Sequence, residues 1–315
     1  MNMLKVFQLK NNYLFRIDEK DLFNAINDIL WVDIIKLNNN ENYCVQHILE
    51  QYKVNFFKLK DIESKRFCSN QDGTYISSFF FSCDDHNQIS NVIVFFIIHN
   101  DRLYTLRGSR FPVFCTYQRS LSDHWLGDGN AYELLLSLFS VKIDDLTDKI
   151  ENIYSTLETL SFVVMGGQQI DEYDSILSDL AELESMSWKI QINLLDTERA
   201  IKFLARQSKL PTTQKRYANE ILNDIILLLS YNESIFQKVS FLTQSVMGLI
   251  NIEQNRIIKI FSIVFLPPTL IASSYGMNFE FMPELKWLFG YPIAIILMIL
   301  TGLVPYLYFK YKNWL

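Results

Sequence analysis

Asn255, Ser262, Thr269 and Ser273 offer neutral side-chain oxygens along an otherwise apolar stretch, and Asn278 follows just beyond it. The steps of seven, seven and four return to nearly the same face of an α-helix, so these side chains form one polar stripe. Gly276 can leave helical geometry and present its carbonyl, while Asn278 adds an amide oxygen. A ring of such groups suits Mg²⁺, which sheds water reluctantly and is selected by oxygens that hold its hydration shell rather than the bare ion. Carboxylates in the stripe would hold the ion too long. It contains none, and Glu280 and Glu284 lie just outside, where they raise the local cation concentration. A single striped helix could equally hydrogen-bond a neighbour, whereas several copies around an axis would line a watery path.

The elements that must position these residues are two apolar runs. Ile260 to Phe279 carries no charged side chain over about 20 residues, enough at 1.5 Å per residue to cross a hydrocarbon core of roughly 30 Å. Trp287 to Phe309 is a second such run, and the loop between them is short and acidic. Arg256 and Lys259 precede the first run and Lys310 and Lys312 follow the second. The positive-inside bias therefore predicts both termini in the cytoplasm and the loop outside. Trp287, Tyr291, Tyr306, Tyr308 and Trp314 sit near the ends of the second run, as interface anchors do.

Length and charge narrow the classes. The chain has 315 residues, most of them ahead of the first run, which is ample for a sizeable soluble domain. A net charge of -6 with no basic cluster argues against nucleic-acid binding. Cys44, Cys68, Cys83 and Cys115 form no C-x-x-C pair, and His47, His86, His99 and His124 lack ligand spacing, so a zinc site is not expected. The first ten residues lack the apolar core of a signal peptide, which predicts a cytoplasmic soluble part. No G-x-x-x-x-G-K-[ST] loop and no nucleophile–base pair emerges, so the chain is not expected to be an enzyme.

To about Gly127 the pattern is mixed α/β. Phe7 to Leu9 and Tyr13 to Ile17 flank an Asn11-Asn12 turn, and Leu30 to Ile34 is another strand. Ile76 to Cys83 and Val92 to Ile98 read as strands, the latter buried on both faces, with Asn100-Asp101 turning the chain into Leu103 to Leu106. Gln46 to Tyr52 reads as a helix. From Asp128 onward the apolar spacing is helical: one helix ends at Gly166-Gly167, a second runs from about Asp171 through Leu204, and a third from Thr212 meets no proline before Pro267. Continued into the first apolar run, the third helix covers about 60 residues, on the order of 90 Å, which implies packing against copies of itself. The acidic residues between Lys142 and Arg199, Asp144, Asp145, Asp148 and Glu151 among them, read first as a solvated face and alternatively as a reservoir for divalent cations.

Tyr275-Gly276-Met277-Asn278 followed by Met282-Pro283-Glu284-Leu285 resembles the signature of the CorA family of magnesium and cobalt transporters. Asp128 to Leu134, Ile252 to Ile260 and the closing Asn313-Trp314-Leu315 resemble its proteobacterial branch, so the likeness covers essentially the whole chain. The resemblance implies an α+β cytoplasmic domain with long stalk helices, followed by a two-helix transmembrane hairpin, assembled as a funnel-shaped homopentamer in the inner membrane. The expected divisions are an α/β domain over 1–127, an acidic helical hairpin over 128–210, and a stalk helix continuing into the first span over 211–279. An external loop over 280–286, a second span over 287–309 and a basic tail over 310–315 complete the chain.

By the same resemblance Gly276, Met277 and Asn278 form the selectivity filter, with Asn278 as its outer ring. Asn255, Ile258, Leu266 and Thr269 map to inner constrictions, and Lys310 and Lys312 resemble a basic collar. Between Lys259 and Pro267 the chain is about three residues shorter than the family pattern, close to one helical turn, which shifts the inner register around Ile258 and Ser262. In the family, cytoplasmic Mg²⁺ closes the path by bridging acidic residues of neighbouring subunits, which maps here to Asp84 or Asp85 against Glu220 or Asp224. The expectation is a passive Mg²⁺ uptake channel that also passes Co²⁺ and Ni²⁺, with no resident cofactor, whose partners are its own copies, the bilayer and divalent cations. Two other readings fit the same residues: a zinc transporter of the same superfamily, and a membrane-anchored metal sensor that conducts nothing.

Overall fold

A computed structural model of the chain describes residues 4–17, 28–35, 66–70, 73–83, 89–121, 126–166, 173–207, 210–278, 280 and 282–312. The chain divides into two compact units. One comprises Met1–Phe162 with Ser178–Ser240, and the other Val163–Leu177 with Phe241–Leu315.

The first unit is built on a sheet of β1 (Leu4–Lys10), β2 (Tyr13–Ile17), β3 (Ile29–Ile35), β4 (Phe67–Asn70), β5 (Gly73–Cys83), β6 (Ile89–His99) and β7 (Arg102–Arg107), in the order β2-β1-β3-β7-β6-β5-β4. Only the central β3–β7 pair is parallel; the other neighbours are antiparallel. Both predicted hairpin turns form. Asn11 and Asn12 have φ of 51° and 65°, and Asn100 and Asp101 have φ of 50° and 58°. Positive φ at both central residues matches the right-handed twist of the flanking strands, and Asn and Asp tolerate it better than other side chains.

The sheet buries two different faces. On one, Trp31 stacks on its cross-strand partner Phe7 with centroids 4.5 Å apart, and Phe80 meets Phe114 at 5.3 Å and Phe96 at 5.8 Å. Helix α1 (Pro112–Arg119) contributes Phe114 and Tyr117 to this aromatic core, and α2 (Ala131–Met165) contributes Phe139. On the other face Val6, Ile17, Val32, Ile34, Tyr75, Ile97 and Tyr104 cluster. The expectation that Val92 to Ile98 is buried on both faces holds for Phe96, Ile97 and Ile98 and fails at Ile93, which is 39 % exposed. Ile93 shares a face with Ile97 but stands beyond the end of that cluster. The helix expected at Gln46 to Tyr52 lies outside the described residues.

Helix α2 starts where the Asp128-Gly129-Asn130 stretch predicts, and the structure supplies the cause. Asn130 Oδ1 accepts the Glu133 backbone N–H at 2.9 Å, and the Glu133 carboxylate accepts those of Gly127, Asp128 and Gly129 at 2.7, 2.8 and 3.0 Å. Asn130 thus caps the first helical turn, and Glu133 ties down the three N–H groups just ahead of it. Gly129 has φ of 63°, and a Cβ there would lie 2.8 Å from Leu9 Cδ2. Asp128 Oδ2 in turn accepts hydrogen bonds from Thr213 Oγ1 and Gln214 Nε2, both at 3.1 Å, pinning the start of α4 (Thr212–Tyr275) to this cap.

Helix α3 (Tyr173–Ala205) packs on α4 through a seam. Along α4 the buried positions Gln214, Ala218, Ile221, Ile225, Leu228, Asn232, Ile235 and Val239 alternate steps of four and three, a period of 3.5. Asn232 interrupts the apolar part of the row, which begins at Ala218. Its Oδ1 accepts from Ser187 Oγ at 2.8 Å, and its amide donates to the Ser187 carbonyl and Gln191 Oε1, both at 3.1 Å. A satisfied polar group in such a seam selects one register, because a slipped alignment would bury it unpaired.

Buried charges tie helices to the sheet, Asp33 and Lys142 among them. Asp33 accepts from Arg107 Nε at 2.9 Å and Nη2 at 2.7 Å, from Thr105 Oγ1 at 2.8 Å and from Gln118 Nε2 at 2.9 Å. Lys142, fully enclosed, donates to Ser78 Oγ at 3.1 Å and Thr197 Oγ1 at 2.7 Å, with its ammonium 4.4 Å from the centre of the Phe80 ring. Burial pushes its pKa down to about 7, against the pull of Asp196 and Asp145 toward the charged form.

Candidate ion-path helix

The second unit contains the distal part of α4, a 3₁₀ turn over Pro283–Lys286, and α5 (Gly290–Tyr311). Both helices are long and apolar enough to cross a membrane, and the apolar windows are 0 % and 11 % buried within the protein. Phe265, Leu266 and Leu270 on α4 and Ile296, Ile299 and Leu303 on α5 are exposed. An apolar surface this continuous belongs against lipid or another chain rather than water.

The face of α4 that meets α5 is made by Val264, Pro268 and Ala272, which share two cavities with Met298 and Gly302 or with Trp287, Tyr291 and Ala294. At about 100° per residue the polar stripe lies roughly 120° round the helix from that face. Asn255, Thr269 and Ser273 are exposed there, together with Ile258 and Leu266, and Ser262 is half-buried. The stripe is thus one row, uncovered by the helix that packs beside it.

Two of the hydroxyls along it, those of Ser262 and Thr269, are oriented by the helix itself. Ser262 Oγ donates to the Ile258 carbonyl at 2.9 Å, and Thr269 Oγ1 donates to that of Phe265 at 2.6 Å. With its proton turned back to the backbone, each oxygen keeps its lone pairs as acceptors. Acceptors are what the outward-pointing hydrogens of a hydrated cation need.

Helix α4 ends at Tyr275. The Gly276 N–H is shared between the carbonyls of Ala272 at 3.0 Å and Ser273 at 3.2 Å, and Met277 N–H donates to Ser274 at 3.4 Å. The chain leaves the helix here through a tightened turn. Gly276 is not among the glycines with positive φ, so its place rests on space: a Cβ would lie 3.3 Å from the Ala272 carbonyl oxygen. Met277 and Asn278 are exposed beyond it, as is Glu280, while the Glu284 side chain lies outside the described residues.

Of the residues expected to take part in regulation, Glu220 and Asp224 are described and lie on α4. Glu220 pairs with Arg216 at 3.2 Å on its own helix, Asp224 is exposed one turn further on, and Asp84 and Asp85 lie outside the described residues. Among the described residues no group of three or more His, Cys, Asp or Glu could hold a metal ion. At the end of α5, Lys310 lies 6.0 Å from the Tyr306 ring and Lys312 lies 5.7 Å from the Tyr308 ring.

Pro267, Pro268 and Gly302 carry local geometry beyond the polar stripe and the filter stretch. Two adjacent prolines inside a helical run, and a residue without a side chain inside an otherwise bulky second span, were the available signals.

Comparison with known proteins identifies the family and the fold. A family model described as CorA-like Mg²⁺ transporter protein matches residues 27–311. The chain is 73 % identical over 314 residues to a magnesium transport protein CorA of Blochmanniella floridana, covering 99 % of this chain and 100 % of that one. It is 56 % identical over 317 residues to that of Salmonella typhimurium, with the same coverage. The solved CorA magnesium transporter of Methanocaldococcus jannaschii superposes with a TM-score of 0.73 at 15 % identity, covering 100 % of this chain and 99 % of that one. The cytoplasmic domain of ZntB from Vibrio parahaemolyticus superposes with a TM-score of 0.61 at 12 % identity over 80 % of this chain and 99 % of that one, a likeness of fold. With the family model spanning most of its length and whole-chain relatives well above half identity, the chain belongs to the CorA family.

Proposed function

We infer that the protein transports magnesium across the inner membrane, through a path lined by the striped face of α4 from several copies of the chain. The observation that carries this reading is that Asn255, Thr269 and Ser273 share one exposed face of an otherwise apolar helix, which runs out into Gly276-Met277-Asn278. Neutral acceptors on that face hold a hydrated ion without stripping it. The assembly proposed is a homopentamer with Asn278 as its outer ring, both termini in the cytoplasm and Lys310 and Lys312 round the inner mouth. Transport is passive, because a divalent ion gains roughly 4.6 kcal/mol per 100 mV, twice the single-charge value. Co²⁺ and Ni²⁺ are proposed as further cargo. Cytoplasmic Mg²⁺ bound between subunits at Asp84 or Asp85 and Glu220 or Asp224 is proposed to close the path.

The test is metal-resolved uptake into liposomes holding the purified full chain, with an imposed inside-negative potential. Mg²⁺ entry that rises with the potential is expected. Zn²⁺ outrunning Mg²⁺ would make the protein a zinc transporter, and no flux of any divalent ion at any internal Mg²⁺ level would make it a sensor.

A further inference from the structure

Between Ser262 and Thr269, α4 carries Pro267 and Pro268 in its interior. Neither proline has an N–H, so the carbonyls of Ile263 and Val264 lose the bonds that residues 267 and 268 would otherwise donate. In an apolar layer no water replaces them. One of these oxygens faces the neighbouring helix. A Cβ built on Gly302 of α5 would lie 3.0 Å from the Val264 carbonyl oxygen and 3.3 Å from Pro268 Cγ. Gly302 is buried at this contact, and its bare Cα presents a hydrogen where any other residue would place carbon against oxygen. Met298, Ile299 and Leu303 surround it with larger side chains.

We propose that Gly302 is a positioning residue for ion transport, seating the proline-broken turn of α4 by admitting α5 against the Val264 carbonyl. The two missing bonds leave the turn between Ser262 and Thr269 free to rotate or bend, and a close neighbour at that oxygen holds it. Ser262, Leu266 and Thr269 keep their common facing only while that seat is kept. The proposal rests on the reading of α4 as the ion-path helix.

A double-mutant cycle on the full chain in liposomes tests it. Gly302→Ala forces carbon against the carbonyl and is expected to cut Mg²⁺ flux per assembled channel several-fold, with Gly302→Val cutting it further. Pro268→Ala restores the N–H that Val264 needs and removes the ring carbon that faces residue 302. In that background Gly302→Ala is expected to cost no more than about twofold, because the two sites share one contact. Equal losses in both backgrounds, or undiminished flux in Gly302→Val, would overturn the proposal. Thermal midpoints of the same four proteins in detergent must show the same non-additivity, and additive midpoints would count against the shared seat. That second readout stands even if the parent conducts nothing, an outcome that would refute the transport reading alone.

Discussion

Replacing Lys142 with Met should change how the stability of the first unit depends on pH. The side chain is fully enclosed and its pKa falls from 10.5 to about 7, because burial opposes the ammonium more than Asp196 and Asp145 support it. At about 1.36 kcal/mol per unit, keeping the charge in the folded protein costs about 5 kcal/mol. The unfolded chain holds this proton up to about pH 10.5, whereas the folded chain releases it near pH 7, so the cost is present in full below pH 7 and fades as pH rises towards 10.5. Between pH 7 and pH 9 the parent should gain about 2 kcal/mol from this residue alone, on the order of 5 °C in melting temperature for a unit of this size. Lys142→Met keeps the length and loses the proton. It strands no donor, because Ser78 Oγ already donates to Asp196 Oδ2 at 2.8 Å and Thr197 Oγ1 to the Asn193 carbonyl at 2.7 Å. The full chain in detergent would be melted from pH 6 to pH 9.5, following a signal from the sheet. The variant is expected to match or exceed the parent at pH 6 and to lose that advantage by pH 9. Parallel curves across the range would refute the reasoning.

Asn278→Ala is expected to abolish Mg²⁺ flux in liposomes while size-exclusion chromatography still shows the assembled protein; retained transport would remove the residue from the filter. Neutralising Asp84, Asp85, Glu220 and Asp224 together should leave flux unchanged at low internal Mg²⁺ and uninhibited at high internal Mg²⁺. Unaltered inhibition in that variant would clear all four of a sensing role. Arg107→Ala leaves the fully buried Asp33 with Thr105 and Gln118 as its side-chain donors among the described residues, and should destabilise the first unit by ~3 to 5 kcal/mol in denaturant unfolding. A loss below about 1 kcal/mol would mean that water or a rearranged donor replaces the guanidinium.

Local signals in the residue order were enough for several features, because each depends on near neighbours alone. The two hairpin turns follow from Asn11-Asn12 and Asn100-Asp101, whose side chains tolerate positive φ. The start of α2 follows from Asn130 and Glu133 three residues apart, and the shared face of Asn255, Ser262, Thr269 and Ser273 from steps of seven and four on a helix. The two apolar runs are likewise a property of the chain before it folds. The stretch Gly276-Met277-Asn278 is legible for the same reason, being consecutive; the filter role proposed for it comes from the family resemblance.

Tertiary structure decided what depends on partners distant in sequence. Nothing near Lys142 in the chain indicates that Ser78 and Thr197 will meet its ammonium, or that Phe80 will lie beside it. Burial on both faces of β6 stopped short of Ile93 because the cluster on that face ends before it, a matter of how strands order in the sheet. The face of α4 that α5 covers is the one where Gly302 approaches the Val264 carbonyl, which leaves the stripe on an uncovered side. Periodicity places residues on one face of a helix, but which face is occupied is settled by contacts that close across the fold.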